Sequence, residues 1–304
     1  MPHPYAILDV FTNQALSGNP LAIVLEADGL DDAAMLKIAG EFNLSETVFV
    51  FKSENPAHSA RIRIFTPGRE LPFAGHPTIG TAVFLASERF GDLDRPQDAM
   101  VVLEEKVGPV RCGVKLTPNA ASFAEFDIPR LPQPVGMSLG DKAEVATALN
   151  LNSADIGFEN HRPSTYEAGV PFAFVPLASL DAMARAKPNL SAWEAAFGDG
   201  DHNHAFLYCR DHRNHRATFR ARMFAPSMSI GEDPATGSAA AAFSGVIMNF
   251  DKPTDGTHYI RIEQGFEMGR PSLIDLEIDV EANALDAVRI GGQAVIVARG
   301  ELFL

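Results

Sequence analysis

Two stretches of this chain match one another: residues 61–82, RIRIFTPGRELPFAGHPTIGTA, and residues 220–239, RARMFAPSMSIGEDPATGSA. With a two-residue gap in the loop, Arg61 falls on Arg220, Phe65 on Phe224, Pro67 on Pro226, His76 on Asp233, Pro77 on Pro234 and Gly80 on Gly237. Each copy reads as an alternating strand, a proline-bearing loop, and a helix with proline in its first turn, where the missing N–H costs nothing. Such self-similarity marks a duplicated unit. Equivalent positions of a duplicated unit are expected across a pseudo-twofold axis, so the two helix starts are expected to face one another.

The 304 residues suffice for two domains, each with its own core. A hydrophobic share of 46% with 21% charged residues fits a globular chain, and a net charge of −14 opposes nucleic-acid phosphates and anionic lipid surfaces. Neither nucleic acid nor membrane is therefore expected as a partner. Cys112 and Cys209, the two cysteines, stand in no metal or redox spacing, which fits a reducing, cytoplasmic setting. The opening MPHPYAILDVFTNQ has no basic segment ahead of a long apolar run and reads as a first strand, not a signal peptide. The most apolar helix, residues 239–250, is too short to span a bilayer.

In chain order, residues 5–11 and 21–25 read as strands around a Gly18-Asn19-Pro20 turn, and 31–42 as a helix. The polar cluster Asn43, Ser45, Glu46 and Thr47 leads into a β-branched and aromatic strand. A helix over 77–89 and strands at 100–103, 110–116 and 122–128 follow. Residues 129–136, PRLPQPVG, read as a linker. The second half offers a helix at 142–149, strands near 172–175 and 205–209, the long helix 234–250, and four strand-like runs between 258 and 304. Gly265, Gly269 and Gly291-Gly292 are read as turns between those runs. The expected fold class is α+β: a duplicated architecture in which each domain is a mostly antiparallel sheet rolled around a central helix. The expected domains are 1–130 and 131–292, with a last strand at about 293–304 returning to the first.

Helix starts expose unpaired N–H groups and a partial positive charge, so two converging starts would make an anion site suited to a small carboxylate. Gly75 would let a ligand approach the backbone, while Thr236, Gly237 and Ser238 offer N–H groups and hydroxyls. The plainer alternative makes His76 and Asp233 helix caps and the glycines turns. Glu46, where a polar loop meets a buried strand, is placed to act as a general base if burial raises its pKa; Ala205 stands at the approximately matching place in the second half. His202, His204, His212 and His215 have spacings that can hold zinc but lack a Cys or carboxylate frame, so no metal is expected. Absent GxSxG, GxGxxG and P-loop motifs leave acid–base chemistry without a cofactor.

The segments GNP at 18–20, NLSETVFV at 43–50, IRIFTP and ELPFAGHPTIGTA within 62–82, GEDPATGSAA at 231–240 and QGFEMGRPS at 264–272 closely resemble the PhzF family of phenazine-biosynthesis-like isomerases. That resemblance implies a diaminopimelate epimerase-like fold, similar also to proline racemase, with the active site in a cleft between two domains, and a homodimer. It implies Glu46 as the proton-transferring residue, His76, Asp233 and Ser238 as further active-site positions, and Gly75 and Gly237 as substrate-contacting backbone. The cysteine pair of the epimerase relatives is replaced by His76 and Asp233, which disfavours cysteine-based racemisation. The expected activity is a cofactor-independent isomerisation that moves a proton between carbons of a small amino- or hydroxy-carboxylate. A non-catalytic binding or scaffold protein, and an epimerase acting at one carbon, are the alternatives, and no motif between 129 and 203 fixes the substrate.

Overall fold

The computed structural model describes residues 2–200, 203–212, 217–226 and 230–304. Its contacts divide the chain into two compact units, Met1–Pro129 with Gly291–Leu304, and Arg130–Ile290. The first unit contains β1 (His3–Val10), β2 (Asn19–Val24), α1 (Asp32–Phe42), β3 (Glu46–Phe51), β4 (Ala60–Phe65), β5 (Glu70–Leu71), α2 (Gly75–Phe90), β6 (Gln97–Glu105), β7 (Gly108–Leu116) and β8 (Ser122–Asp127). The second contains β9 (Gln133–Pro134), α3 (Lys142–Ala148), β10 (Ser164–Glu167), β11 (Pro171–Pro176), α4 (Leu180–Arg185), α5 (Leu190–Phe197), β12 (Ala205–Cys209), β13 (Phe219–Ala225), β14 (Ile230–Asp233), α6 (Gly237–Phe250), β15 (Gly256–Gln264) and β16 (Ser272–Glu281). Strand β17 (Ala284–Leu302) begins in the second unit and ends in the first, where it pairs antiparallel with β1.

The repeat is visible in the ladders. In the first unit β2 runs parallel to β3, β3 antiparallel to β4, and β4 parallel to β6; in the second the same relations join β11 to β12, β12 to β13, and β13 to β15. The sheets are thus mixed: antiparallel hairpins such as β6–β7 and β15–β16 alternate with parallel pairs. Each parallel pair needs a crossover, and helices supply it. Between β4 and β6 that helix is α2, and between β13 and β15 it is α6.

Both central helices are apolar nearly all round, the mark of a helix enclosed by its sheet. Every residue of α2 from Gly75 through Phe84 is buried, as is every residue of α6 from Ala239 through Ile247. Helix α2 packs on β1, β2, β3, β6, β7 and β8, and α6 on β9, β10, β11 and β16. In the second unit Phe243 of α6 meets the Tyr208 and Phe219 rings edge-on, with centroids 4.7 and 5.0 Å apart. Other helices cover the opposite sheet faces: α1 through Met35, Ile38 and Ala39 against Val24, Phe49 and Phe65, and α3 to α5 through Val145, Met183 and Trp193 against Val175, Leu207 and Phe224. Strands covered on both faces have no polar side to show, which explains why ETVFVF in β3 and AFLYC in β12 lack alternation.

Several boundaries differ from the sequence expectation, three of them with consequences. Helix α2 starts at Gly75, ahead of residue 77, whereas α6 starts at Gly237, after residue 234, so His76 is helical while its counterpart Asp233 ends strand β14. The Gly291-Gly292 pair is not a turn but lies inside β17, leaving three C-terminal strands where four runs were expected. These glycines are needed for closeness: a Cβ on Gly291 would come within 2.6 Å of the Phe123 ring, and one on Gly292 within 2.3 Å of Phe11. Among the described residues no helix is long and apolar enough to cross a membrane.

Candidate active site

Glu46 is the first residue of β3 and pairs with Leu21 of β2. His76 sits in the first turn of α2, beside Gly75. Their side chains meet: Glu46 Oε2 lies 3.4 Å from His76 Nε2, with 12% and 5% of the side chains exposed. The contact is longer than a strong hydrogen bond. Burial pushes the His76 imidazole down to about 3, so it is neutral at physiological pH and does not lock Glu46 into a permanent ion pair. The neutral imidazole can still hydrogen-bond a ligand.

The second set lies in the other unit. Asp233 closes β14, and its Oδ2 accepts a 2.6 Å hydrogen bond from the Thr236 hydroxyl. Gln264, fully buried at the end of β15, binds this segment from three directions: Nε2 donates to Asp233 O at 2.8 Å and to Thr236 Oγ1 at 3.0 Å, and Oε1 accepts from Thr236 N at 3.1 Å. Beyond it, Gly265 takes φ +76°, and a Cβ there would stand 2.6 Å from Pro234 O. The turn after β15 is therefore moulded against the Asp233–Thr236 segment, and Gly237 and Ser238 then open α6.

Neither helix start carries a side-chain cap: Ala74, the N-cap of α2, has none to offer, and the Thr236 hydroxyl is turned to Asp233. First-turn N–H groups are accordingly available to an external acceptor. Asp233 and His76 are not helix caps.

The ladder register corrects one sequence alignment. Phe65 pairs with Thr47, and Phe224, its repeat partner, pairs with Ala205. Ala205 thus corresponds to Thr47, and the counterpart of Glu46 is His204, which is 1% exposed. Two members of the histidine group, His202 and His215, lie outside the described residues, and among the described residues no cluster of three or more His, Cys, Asp or Glu could hold a metal. Both cysteines are buried and free, and burial raises both thiols, Cys209 to about 12. Neither supplies a thiolate at neutral pH. Gln264 was within a quoted motif, yet only its three hydrogen bonds reveal what it holds.

The chain matches the family model PhzC-PhzF, phenazine biosynthesis-like protein, over residues 8–300. It belongs to the PhzF family. It is 51% identical over 308 residues to an uncharacterized isomerase of Mesorhizobium japonicum, covering 99% of this chain and 98% of the relative. It is 34% identical over 302 residues to the trans-2,3-dihydro-3-hydroxyanthranilate isomerase of Pseudomonas fluorescens, covering 99% and 100%. A PhzF-family phenazine biosynthesis protein of Bacillus anthracis has the same fold, with a TM-score of 0.86, 28% identity and full coverage of both chains. At the level of reaction class, the chain is an isomerase of this family.

Proposed function

We propose that this PhzF-family protein moves a proton from one carbon to another in a small unsaturated amino- or hydroxy-carboxylate, with Glu46 as the acid–base group and with no cofactor. The observation that carries the proposal is the Glu46–His76 contact at 3.4 Å, in which burial holds the imidazole neutral and the carboxylate is shielded. Glu46 takes the proton as the C–H bond breaks; that electron pair forms a new C=C bond, and the displaced π pair takes the proton back from Glu46 at the second carbon. Atoms and electrons balance without an oxidant or a second substrate. In the Glu46 unit, His76 is assigned to orient the amine or hydroxyl of the substrate and the backbone at Gly75 to receive its carboxylate; Asp233, Thr236, Gly237 and Ser238 are the candidate substrate-contacting positions of the second unit.

The relatives named as trans-2,3-dihydro-3-hydroxyanthranilate isomerases act on a molecule of this chemical class, which makes that compound the first to test. Candidate carboxylates are incubated with the protein in deuterated water, and solvent deuterium is followed by NMR. Deuterium entering at a carbon other than the one that lost its proton supports isomerisation. Incorporation at one carbon with inversion would replace it with epimerisation, and substrate turnover that persists in Glu46→Gln would remove Glu46 from the role.

A further inference from the structure

The duplicated frame leads to a residue outside both copies of the repeated motif. Arg61 pairs with Glu104 across β4 and β6, and Arg220 with Glu263 across β13 and β15. The next residues, Glu105 and Gln264, therefore occupy equivalent ends of equivalent strands, each the last before the turn to the following strand. Both touch the start of their own unit's central helix. Gln264 does so as an amide, donating Nε2–H to Thr236 Oγ1 and Asp233 O. Glu105, 8% exposed, places Oε1 2.8 Å from Thr78 Oγ1, and the same hydroxyl lies 2.8 Å from Ala74 O.

A hydroxyl carries one proton. If Thr78 gave it to a Glu105 carboxylate, Thr78 Oγ1 and Ala74 O would face each other at hydrogen-bonding distance with no proton between them. Both contacts are satisfied when Glu105 brings a proton of its own, its O–H going to Thr78 Oγ1 and the Thr78 O–H to Ala74 O. Glu105 Oε2 has no hydrogen-bond partner among the described residues, a costly position for an ionised oxygen.

We propose that Glu105 is a neutral carboxylic-acid donor, the counterpart of the Gln264 amide, and that it positions Gly75 and His76 by locking Thr78 onto the Ala74 carbonyl. The groups facing it agree with a neutral acid. From β7 comes the buried Cys112 thiol, which burial keeps protonated and uncharged. From α2 the Thr78 hydroxyl is its hydrogen-bond partner among the described residues, and the neighbouring Glu104 on the same strand is engaged instead with the Glu54 and Asn55 amides and with His58. Burial pushes the Glu105 carboxyl up to about 8.

The sign of the pH effect follows. Between the ordinary carboxylate value of 4.5 and about 8, the folded chain holds a proton that the unfolded chain has released, so stability falls as pH rises through that window and then levels. The consequence for His76 rests on the active-site reading above, but protonation is measured without substrate, so the two ideas fail separately. The test compares the full chain with Glu105→Gln and Glu105→Leu by infrared difference spectroscopy, denaturant unfolding at pH 5 to 9, and NMR of the His76 ring. At pH 7 the wild type should show a neutral carboxylic-acid C=O band that Glu105→Gln lacks. Its unfolding constant should rise relative to Glu105→Gln by about tenfold per pH unit inside the window. The His76 resonances should stay in place in Glu105→Gln and move in Glu105→Leu. No lost acid band, or a stability difference that is equal at pH 5 and pH 8, would overturn the protonated donor. His76 resonances displaced in Glu105→Gln would overturn the positioning role, a result that can be read even if Glu105→Leu does not fold.

Discussion

The two copies of the repeat keep one arginine and change the surroundings of the other. Arg63 and Arg222 are near replicas: each makes a bidentate pair, with Glu70 at 2.7 and 2.6 Å and with Glu232 at 2.8 Å twice. Each also stacks on the phenylalanine two residues ahead, Phe65 at 5.1 Å and Phe224 at 4.8 Å. Arg61 and Arg220 have diverged. The Arg61 side chain is 34% exposed, over Phe51 and 3.6 Å from Glu54; that of Arg220 is 1% exposed, bonded to Glu263 and Glu267 and stacked 3.9 Å from Phe266. The arginine–glutamate pair that ties neighbouring strands, β4 to β5 and β13 to β14, is retained in both halves, whereas other positions vary: Glu46 against His204, His76 against Asp233, Glu105 against Gln264. One scaffold thus holds two chemically different sets of groups.

The sharpest test of that asymmetry is Glu46→Gln, which keeps shape while removing the proposed base. Turnover on a confirmed substrate should fall roughly 10³-fold or more, with the unfolding midpoint nearly unchanged. Near wild-type rates would mean that Glu46 does not carry the proton transfer. Next in size is the divergent arginine pair. Arg220→Ala removes the buried guanidinium bonded to Glu263 and Glu267 and should cost about 3–5 kcal/mol, against about 0–1 kcal/mol for Arg61→Ala at its partly exposed site. Denaturant titration reads both, and equal costs would erase the distinction.

Smaller still is the turn after β15. Gly265→Ala forces a Cβ to 2.4 Å from Arg270 O at a positive φ and should cost about 2 kcal/mol. Lys106→Ala, at the matching place after β6, should lie within about 0.5 kcal/mol of wild type. A Gly265→Ala protein as stable as its parent would show that the turn is not moulded against Pro234. The least effect is expected from metal removal: dialysis against a strong chelator should leave rate and melting temperature unchanged, and stoichiometric zinc lost together with activity would restore the histidine group to consideration.

The sequence determined the duplicated frame and the chemically informative residues. The alternating repeat strand, Pro77 in the first turn of α2 and the paired Arg, Phe and Gly positions are local or periodic signals, so they survive without coordinates, whereas Pro234 proved to lie ahead of α6. So does the family, because Glu46, His76 and Asp233 lie in contiguous motifs. Tertiary structure decided what depends on pairing across distant segments. The His204 counterpart of Glu46 required the β12–β13 register, since a one-residue slip along a strand changes the face a side chain occupies. The Gly291-Gly292 pair looked like a turn because glycine is ambiguous in sequence, and only the Phe123 and Phe11 rings against β17 explain it as strand. Glu105 and Gln264, 30 or so residues beyond the helix starts they hold, became equivalent only through the parallel ladders β4–β6 and β13–β15, because a hydrogen bond is specified by where strands place two groups and not by their distance along the chain.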